Sequence, residues 1–279
     1  MRSARDPLLL ALGSLALFAA VYAFAFGTET GLDLDNRALV RDFGPDKLPR
    51  VHDATRDLLR TIDVSSILLL GSAIVVLGLF RRRLDLALGA VAVIVCANVA
   101  TQLMKPFLGR LDPLHVEGLR PLGTFPSGHA TVAMSLALAL LFVAPPPLLP
   151  LVGLLGGAYA AGVGIALVAL GWHYPSDVGG GFLVASFCAG LALAVVRMAR
   201  RRSGPARVHR KISALAAGLT GIVLVGAFVV VAAVALQRQS LVWEYGRSHT
   251  LFFVAVAALS ALSLMVVGAF VSAHGPRRA

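Results

Sequence analysis

The sequence predicts an all-α fold: a polytopic transmembrane helix bundle, with a six-span core followed by two C-terminal spans. Three observations carry this expectation. Of 279 residues, 58% are hydrophobic and only 14% charged, with a mean hydropathy of +0.83, a composition foreign to soluble domains of this size. The apolar residues fall into long runs at about 7–26, 64–80, 84–104, 127–144, 148–171, 178–198, 212–236 and 250–271; roughly 20 residues of helix cross about 30 Å of hydrocarbon. Finally, arginine gathers in alternate connecting segments, the signature of cytoplasmic loops.

The net charge of +11 fits that last pattern better than nucleic-acid binding, because the basic runs lack interleaved aromatics. No nucleic-acid partner is expected. Cys96 and Cys188 both lie in apolar runs and read as small core residues rather than a disulfide or metal pair.

Taken in order, the chain opens with a short basic stretch carrying Arg2 and Arg5. The first apolar run competes with a signal peptide, since Ala23 and Ala25 resemble a cleavage site, but its length favours a retained anchor. Segment 28–63 holds eight of the fourteen acidic residues, among them Asp33, Asp42, Asp53 and Asp57, together with Arg37, Arg41, Lys47, Arg50, Arg56 and Arg60. Val51, Ala54, Leu58, Leu59 and Ile62 recur there at helical spacing. One or two amphipathic helices on the membrane surface are expected, acting as a solvated connector without chemistry. Arg81–Arg83 separate the second span from the third, Pro145–Pro147 the fourth from the fifth, and a basic linker, 197–211, the sixth from the seventh.

Eight spans with both termini cytoplasmic put Arg2, Arg5, Arg81–Arg83, the basic linker and the C-terminal Arg277 and Arg278 on one side, as the positive-inside rule requires. Segments 28–63 and 237–249 then face outward. The linker marks the expected boundary between residues 1–200, the six-span core with its outer amphipathic segment, and residues 201–279, the linker and a two-span extension.

The same alternation brings three polar breaks to the outer face: Lys105-Pro-Phe-Leu-Gly-Arg-Leu-Asp-Pro113, Phe125-Pro-Ser-Gly-His-Ala130 and Gly171-Trp-His-Tyr-Pro-Ser-Asp-Val-Gly-Gly-Gly181. Ionisable residues gathered at span ends on one face suggest a functional site. Ser127 is placed to cap the fourth span, freeing the amides of Gly128 and His129 at the positive end of a helix dipole to receive an anion. Lys105 adds a point charge and Arg110 a fork suited to phosphate oxygens. His173 suits a nucleophile, Asp177 the carboxylate that fixes its tautomer, and His129 a proton donor to a leaving group. Zinc is the rival use of two histidines and an aspartate. The spacing does not match His-Glu-x-x-His, and Ser-Gly before His129 suits an anion better, so no metal or other cofactor is expected.

These residues resemble those of the type 2 phosphatidic acid phosphatase family, kin to bacterial acid phosphatases and vanadium haloperoxidases, over about residues 8–198. The family carries a lysine, six residues and Arg-Pro; then Pro-Ser-Gly-His; then Ser-Arg, five residues, His, three residues, Asp. Pro126-Ser127-Gly128-His129 matches the second motif in full, His173 and Asp177 the end of the third, and Lys105 and Pro113 the ends of the first. The resemblance implies that His173 forms a phosphohistidine, Asp177 supports it and His129 is the general acid. Lys105, Ser127 and Gly128 hold the phosphate, and no metal takes part. Two family arginines are absent: Asp112 stands in the first motif, and Ala166-Leu167 in place of Ser-Arg. Arg110 is expected to supply the missing fork, with Asp112 turned away toward Arg110 or Arg120, and Leu167 to leave an apolar wall toward the lipid. The implied function is hydrolysis of a lipid phosphate at the outer face, with phosphatidic acid, phosphatidylglycerol phosphate or a polyprenyl diphosphate as substrate. The alternative is a degenerate relative that binds or carries phospholipid. A haloperoxidase ranks lower, because the vanadate-binding arginines are missing and the chain is embedded in membrane.

Overall fold

The computed structural model describes residues 5–39, 49–62, 64–108, 124–200 and 249–274. Every regular element among them is helical: α1 (Arg5–Gly27), α2 (Glu29–Ala38), α3 (Pro49–Arg60), α4 (Val64–Phe80), α5 (Leu84–Leu108), α6 (Gly128–Val143), a 3-10 turn (Pro146–Leu148), α7 (Leu149–Ala169), α8 (Pro175–Arg200) and α9 (Thr250–His274). Five stretches are long and apolar enough to cross a membrane: α1, α5, α7 with its preceding 3-10 turn, α8 and α9. The chain is therefore a multi-pass, all-α membrane protein. The expected run 212–236, the basic linker beyond Arg200 and the C-terminal arginine pair lie outside the described residues, while the linker's first four residues, 197–200, form the last turn of α8.

α6 is the hub. Thirteen of its sixteen residues are buried, and it contacts α5, α7, α8, α4 and α9. A helix of this length rises only about 24 Å, short of the hydrocarbon thickness. It can be short because neighbouring helices, not lipid, surround it. Polar groups on this buried seam pair with one another. Thr101 and Thr131 hydroxyls lie 3.0 Å apart, Thr131 donates to the Ser127 carbonyl at 2.9 Å, and Asn98 donates to the Ile94 carbonyl at 2.8 Å.

α1 packs lengthwise on α8. A Cβ at Gly190 would meet the Pro7 carbonyl oxygen at 2.8 Å, so glycine lets the backbones touch, and the Ser14 and Ser186 hydroxyls pair at 2.7 Å. Small residues at close helix crossings are the usual device inside membranes. α9 docks on α7 in the same way, with Ser263 donating to the Gly157 carbonyl at 2.8 Å and Val267 seated where a Gly153 side chain would be. The last described helix is thus part of the same packed bundle as the core.

The described residues of segment 28–63 form two helices, within the one or two expected, but they are more than a solvated connector. Thr28 caps α2, and Asp35 is buried at 7% exposure. Leu59 of α3 is buried, and the Thr61 hydroxyl lies 2.8 Å from that of Tyr159 on α7. The side chains of Val51 and Ala54 lie outside the described set. One cysteine also departs from expectation: Cys188 is buried, but Cys96 is exposed on α5, on a face that no helix covers among the described residues.

The bundle has two chemically distinct ends. At one, Arg83 and Arg200 flank Asp85, Arg81 donates to the Val143 carbonyl, and the His274 ring stacks on Phe270. The other end holds the N-termini of α6, α8 and α9 and the C-termini of α5 and α7.

Candidate active site

Two turns of chain meet at that second end. The first is Phe125–His129. Phe125 is fully buried, its ring set among Phe18, Tyr22 and Phe26 of α1 at centroid distances of 5.1–5.4 Å, which anchors the segment entering α6. Ser127 is the N-cap of α6, its hydroxyl accepting from the Ala130 amide at 3.4 Å. The expectation that Ser127 opens a helix whose first residues are Gly128 and His129 therefore matches the local geometry.

The second is the turn between α7 and α8. Gly171 takes φ +64°, a conformation that other residues adopt only with strain. With it, the amides of Trp172 and His173 both turn back onto the Leu167 carbonyl, at 2.9 and 3.3 Å. Pro175 then starts α8, where its missing N–H costs nothing. His173 Nδ1 lies 3.3 Å from Asp177 Oδ2, and the same oxygen accepts from the Tyr174 amide at 3.2 Å. Asp177 is fully buried, and its Oδ1 has no hydrogen-bond partner among the described residues. The His173 side chain keeps 14% exposure, so the dyad is a buried carboxylate behind a partly open imidazole.

The two turns are joined directly. The Ser127 amide donates to the Asp177 carbonyl at 2.9 Å. Gly181 makes this approach possible, since a Cβ there would stand 2.7 Å from the Ser127 carbonyl oxygen. His129 is half-buried, its ring 6.2 Å from that of Trp172, and it lies within electrostatic reach of both His173 and Lys105. Lys105 comes from the last turn of α5: its Nζ is 3.5 Å from the point where a Gly128 Cβ would be. His173, Asp177, His129, Ser127, Gly128 and Lys105 thus converge on one site. Arg110, Asp112 and Arg120 lie outside the described residues.

One group was missed by reading the motifs. Gln102, one turn before Lys105, brings its Nε2 to 3.7 Å from the same Gly128 position. The signal available in the sequence was a polar residue three positions from Lys105, the spacing that places two side chains on one helix face. Leu167 corrects an expectation. It is fully buried in the apolar core, on the face of α7 that Gly164 presents to Val178 and Phe182, and so forms no wall toward lipid.

Residues 86–201 match the PAP2 superfamily. That segment takes in α5 from its third residue, all of α6–α8, and every candidate site residue described above. The fold agrees. A transmembrane PAP2-type phosphatidylglycerolphosphate phosphatase from Bacillus subtilis superposes with a TM-score of 0.56, at 20% identity, over 71% of this chain and all of that one. No curated protein matches the sequence. The arrangement brings together an imidazole with a buried carboxylate on its Nδ1, a second imidazole within electrostatic reach, and a lysine ammonium beside a glycine.

Proposed function

We propose that the protein is an integral-membrane phosphatase that hydrolyses a phosphomonoester or diphosphate of a lipid through a phosphohistidine on His173. The observation that carries this reading is the buried Asp177 carboxylate on His173 Nδ1, with His129 within electrostatic reach and the Lys105 ammonium beside Gly128.

The Asp177 bond favours the tautomer with the proton on Nδ1, leaving the Nε2 lone pair free to attack phosphorus. Lys105, the Gln102 amide group and the amides at the start of α6 hold the non-bridging oxygens, with Arg110 of the outer loop as a further fork. As the P–N bond forms, the P–O bond to the lipid breaks, and His129 as imidazolium gives its proton to the departing oxygen. Neutral His129 then takes a proton from water, whose oxygen attacks the phosphohistidine. Inorganic phosphate leaves and His173 recovers its lone pair. No step calls for a metal or organic cofactor.

On this reading the site opens at the outer membrane face and both termini are cytoplasmic. Residues 1–200 carry the chemistry, with 201–279 as an extension. Phosphatidic acid, phosphatidylglycerol phosphate and polyprenyl diphosphate all present a phosphate at the depth of the short helix α6 while their tails stay in the bilayer. The absence of both family arginines favours a second reading, a relative that binds or carries phospholipid without turnover. One experiment separates them: release of inorganic phosphate from these three lipids by purified wild-type and His173→Ala protein. Release that vanishes in the variant supports the enzyme. Undiminished release in the variant excludes His173 as nucleophile, and no release by wild type leaves the binder.

A further inference from the structure

Asp35 is a buried charge that the mechanism does not use. Asp35 belongs to α2, in the acidic outer segment, yet it is only 7% exposed, and both its oxygens reach the first turn of α8. Oδ1 accepts from the Ser176 amide at 3.1 Å, and Oδ2 accepts from the Ser176 hydroxyl. Ser176 lies between His173 and Asp177, immediately before the carboxylate of the dyad.

α2 is itself held firmly. The Thr28 hydroxyl donates to the Phe24 carbonyl at 2.8 Å and accepts from the Gly31 amide at 2.9 Å. A Cβ at Gly31 would stand 2.1 Å from the Phe24 carbonyl oxygen. The turn from α1 into α2 is therefore too tight for any larger residue, and it delivers Asp35 to one place. There the carboxylate satisfies a free amide of α8 and sets a negative charge at the positive end of that helix.

We infer that Asp35 is a positioning residue for the catalytic dyad, a clamp through which the outer segment fixes the rotation of the first turn of α8. The inference rests on the phosphatase reading above. Ser176 and Asp177 share a peptide unit. Releasing Ser176 therefore frees both the Asp177 side chain on His173 and the Asp177 carbonyl that holds the Ser127 amide. One carboxylate outside the PAP2 segment thereby keeps two motifs in register.

The test uses the full-length protein and the variants Asp35→Ala, Asp35→Asn and Ser176→Ala, with Asp33→Asn as control, since Asp33 is exposed and pairs with exposed Arg37 on its own helix. The measurements are kcat and KM on whichever of the three lipids wild type hydrolyses, inhibition by inorganic phosphate, and hydrogen exchange over residues 174–178. A misplaced catalytic group costs about 10- to 100-fold in rate. That loss is expected in kcat for Asp35→Ala, with phosphate inhibition unchanged, as when only the transition state loses support. Asp35→Asn, which keeps an acceptor for the amide, falls between, Ser176→Ala loses less, and the control matches wild type. Wild-type kcat in Asp35→Ala with lowered thermal stability alone overturns the inference, as does an equal loss of kcat and phosphate binding. If Asp35→Ala does not fold, Asp35→Asn and Ser176→Ala decide by the same criteria. If wild type releases no phosphate from any lipid, the phosphatase reading fails by itself. The clamp then stands on faster exchange at 174–178 in the variants, and unchanged exchange refutes it.

Discussion

Three adjacent glycines open α8, and they are not equivalent. A Cβ at Gly179 would touch Leu262 Cδ2 at 3.6 Å, an ordinary contact, whereas at Gly181 it would meet the Ser127 carbonyl oxygen at 2.7 Å and the Thr131 amide nitrogen at 3.0 Å. Replacing glycine by alanine within a helix gains roughly 0.5–1 kcal/mol through backbone entropy, so Gly179→Ala is expected to raise thermal stability slightly and leave activity alone. At Gly181 the obstacles include two backbone atoms of α6, which cannot rotate away. Restoring a contact of about 3.5 Å requires α8 and α6 to separate by several tenths of an ångström. Overpacking of this kind costs about 1–3 kcal/mol, more than the entropic gain, leaving a net loss of roughly 0–2.5 kcal/mol. The same separation stretches the 2.9 Å bond from the Ser127 amide to the Asp177 carbonyl, so turnover is expected to fall about 10-fold or more. The assay is thermal inactivation in detergent, alongside phosphate release. Equal stability and equal turnover in the two alanine variants would refute the claim that Gly181 sets the distance between the motifs.

Asp177→Asn keeps the shape of the dyad but loses its charge. A supporting carboxylate of this kind is worth up to ~10⁴-fold in kcat, so a loss of at least ~10²-fold without loss of folded protein is expected, and wild-type kcat would remove Asp177 from the mechanism. A phosphoenzyme quenched during turnover should be acid-labile and base-stable, as phosphohistidine is, and should be absent from His173→Ala; a label stable in acid contradicts the nucleophile assigned here. Gln102→Leu removes a neutral donor worth about 0.5–1.5 kcal/mol and should raise the inhibition constant for inorganic phosphate roughly 2- to 10-fold, whereas Arg110→Ala removes a charge-assisted one and should raise it roughly 10- to 100-fold, with Arg120→Ala near wild type. Wild-type constants in both Gln102→Leu and Arg110→Ala would mean that neither residue replaces the missing arginines.

The helices were legible because lipid imposes a coarse rule. A backbone in hydrocarbon must satisfy itself, so long apolar runs become helices; α1, α4 and α6–α9 begin and end within a few residues of the runs read from composition. The dyad was legible because its two members lie four residues apart at a proline. What escaped was long-range and depended on side-chain direction. Asp35 looked like one more acid in a surface segment, and nothing local tells that it meets Ser176, 141 positions later. Leu167 was read from its place in a motif as a site wall, but the face of α7 it occupies is fixed by packing against α8. Cys96 differs from Cys188 for the same reason: both sit in apolar runs, and only the helix arrangement decides which is covered.

The missing arginines need not weaken the proposed site as much as their number suggests. A charge attracts a phosphate in inverse proportion to the local dielectric, and that attraction rises severalfold between bulk water and a partly buried site. Here Ser127 and Asp177 are fully buried, and His129, His173 and Lys105 are each partly so. The helix α6, whose N-terminus is proposed to receive the anion, is short and enclosed by its neighbours. A donor held in such a site is desolvated before the substrate arrives, so each remaining one contributes more than it would on an open surface. Lys105 needs no guanidinium fork to do this: its Nζ lies 3.5 Å from where a Gly128 Cβ would be, and glycine puts no side chain there. The same enclosure raises the importance of register. With fewer donors, each must lie where charge develops, and on the proposed mechanism the parts that hold them there, Gly181 between α6 and α8 and Asp35 beneath Ser176, are expected to carry a larger share of the rate than similar contacts would in a site with arginines to spare.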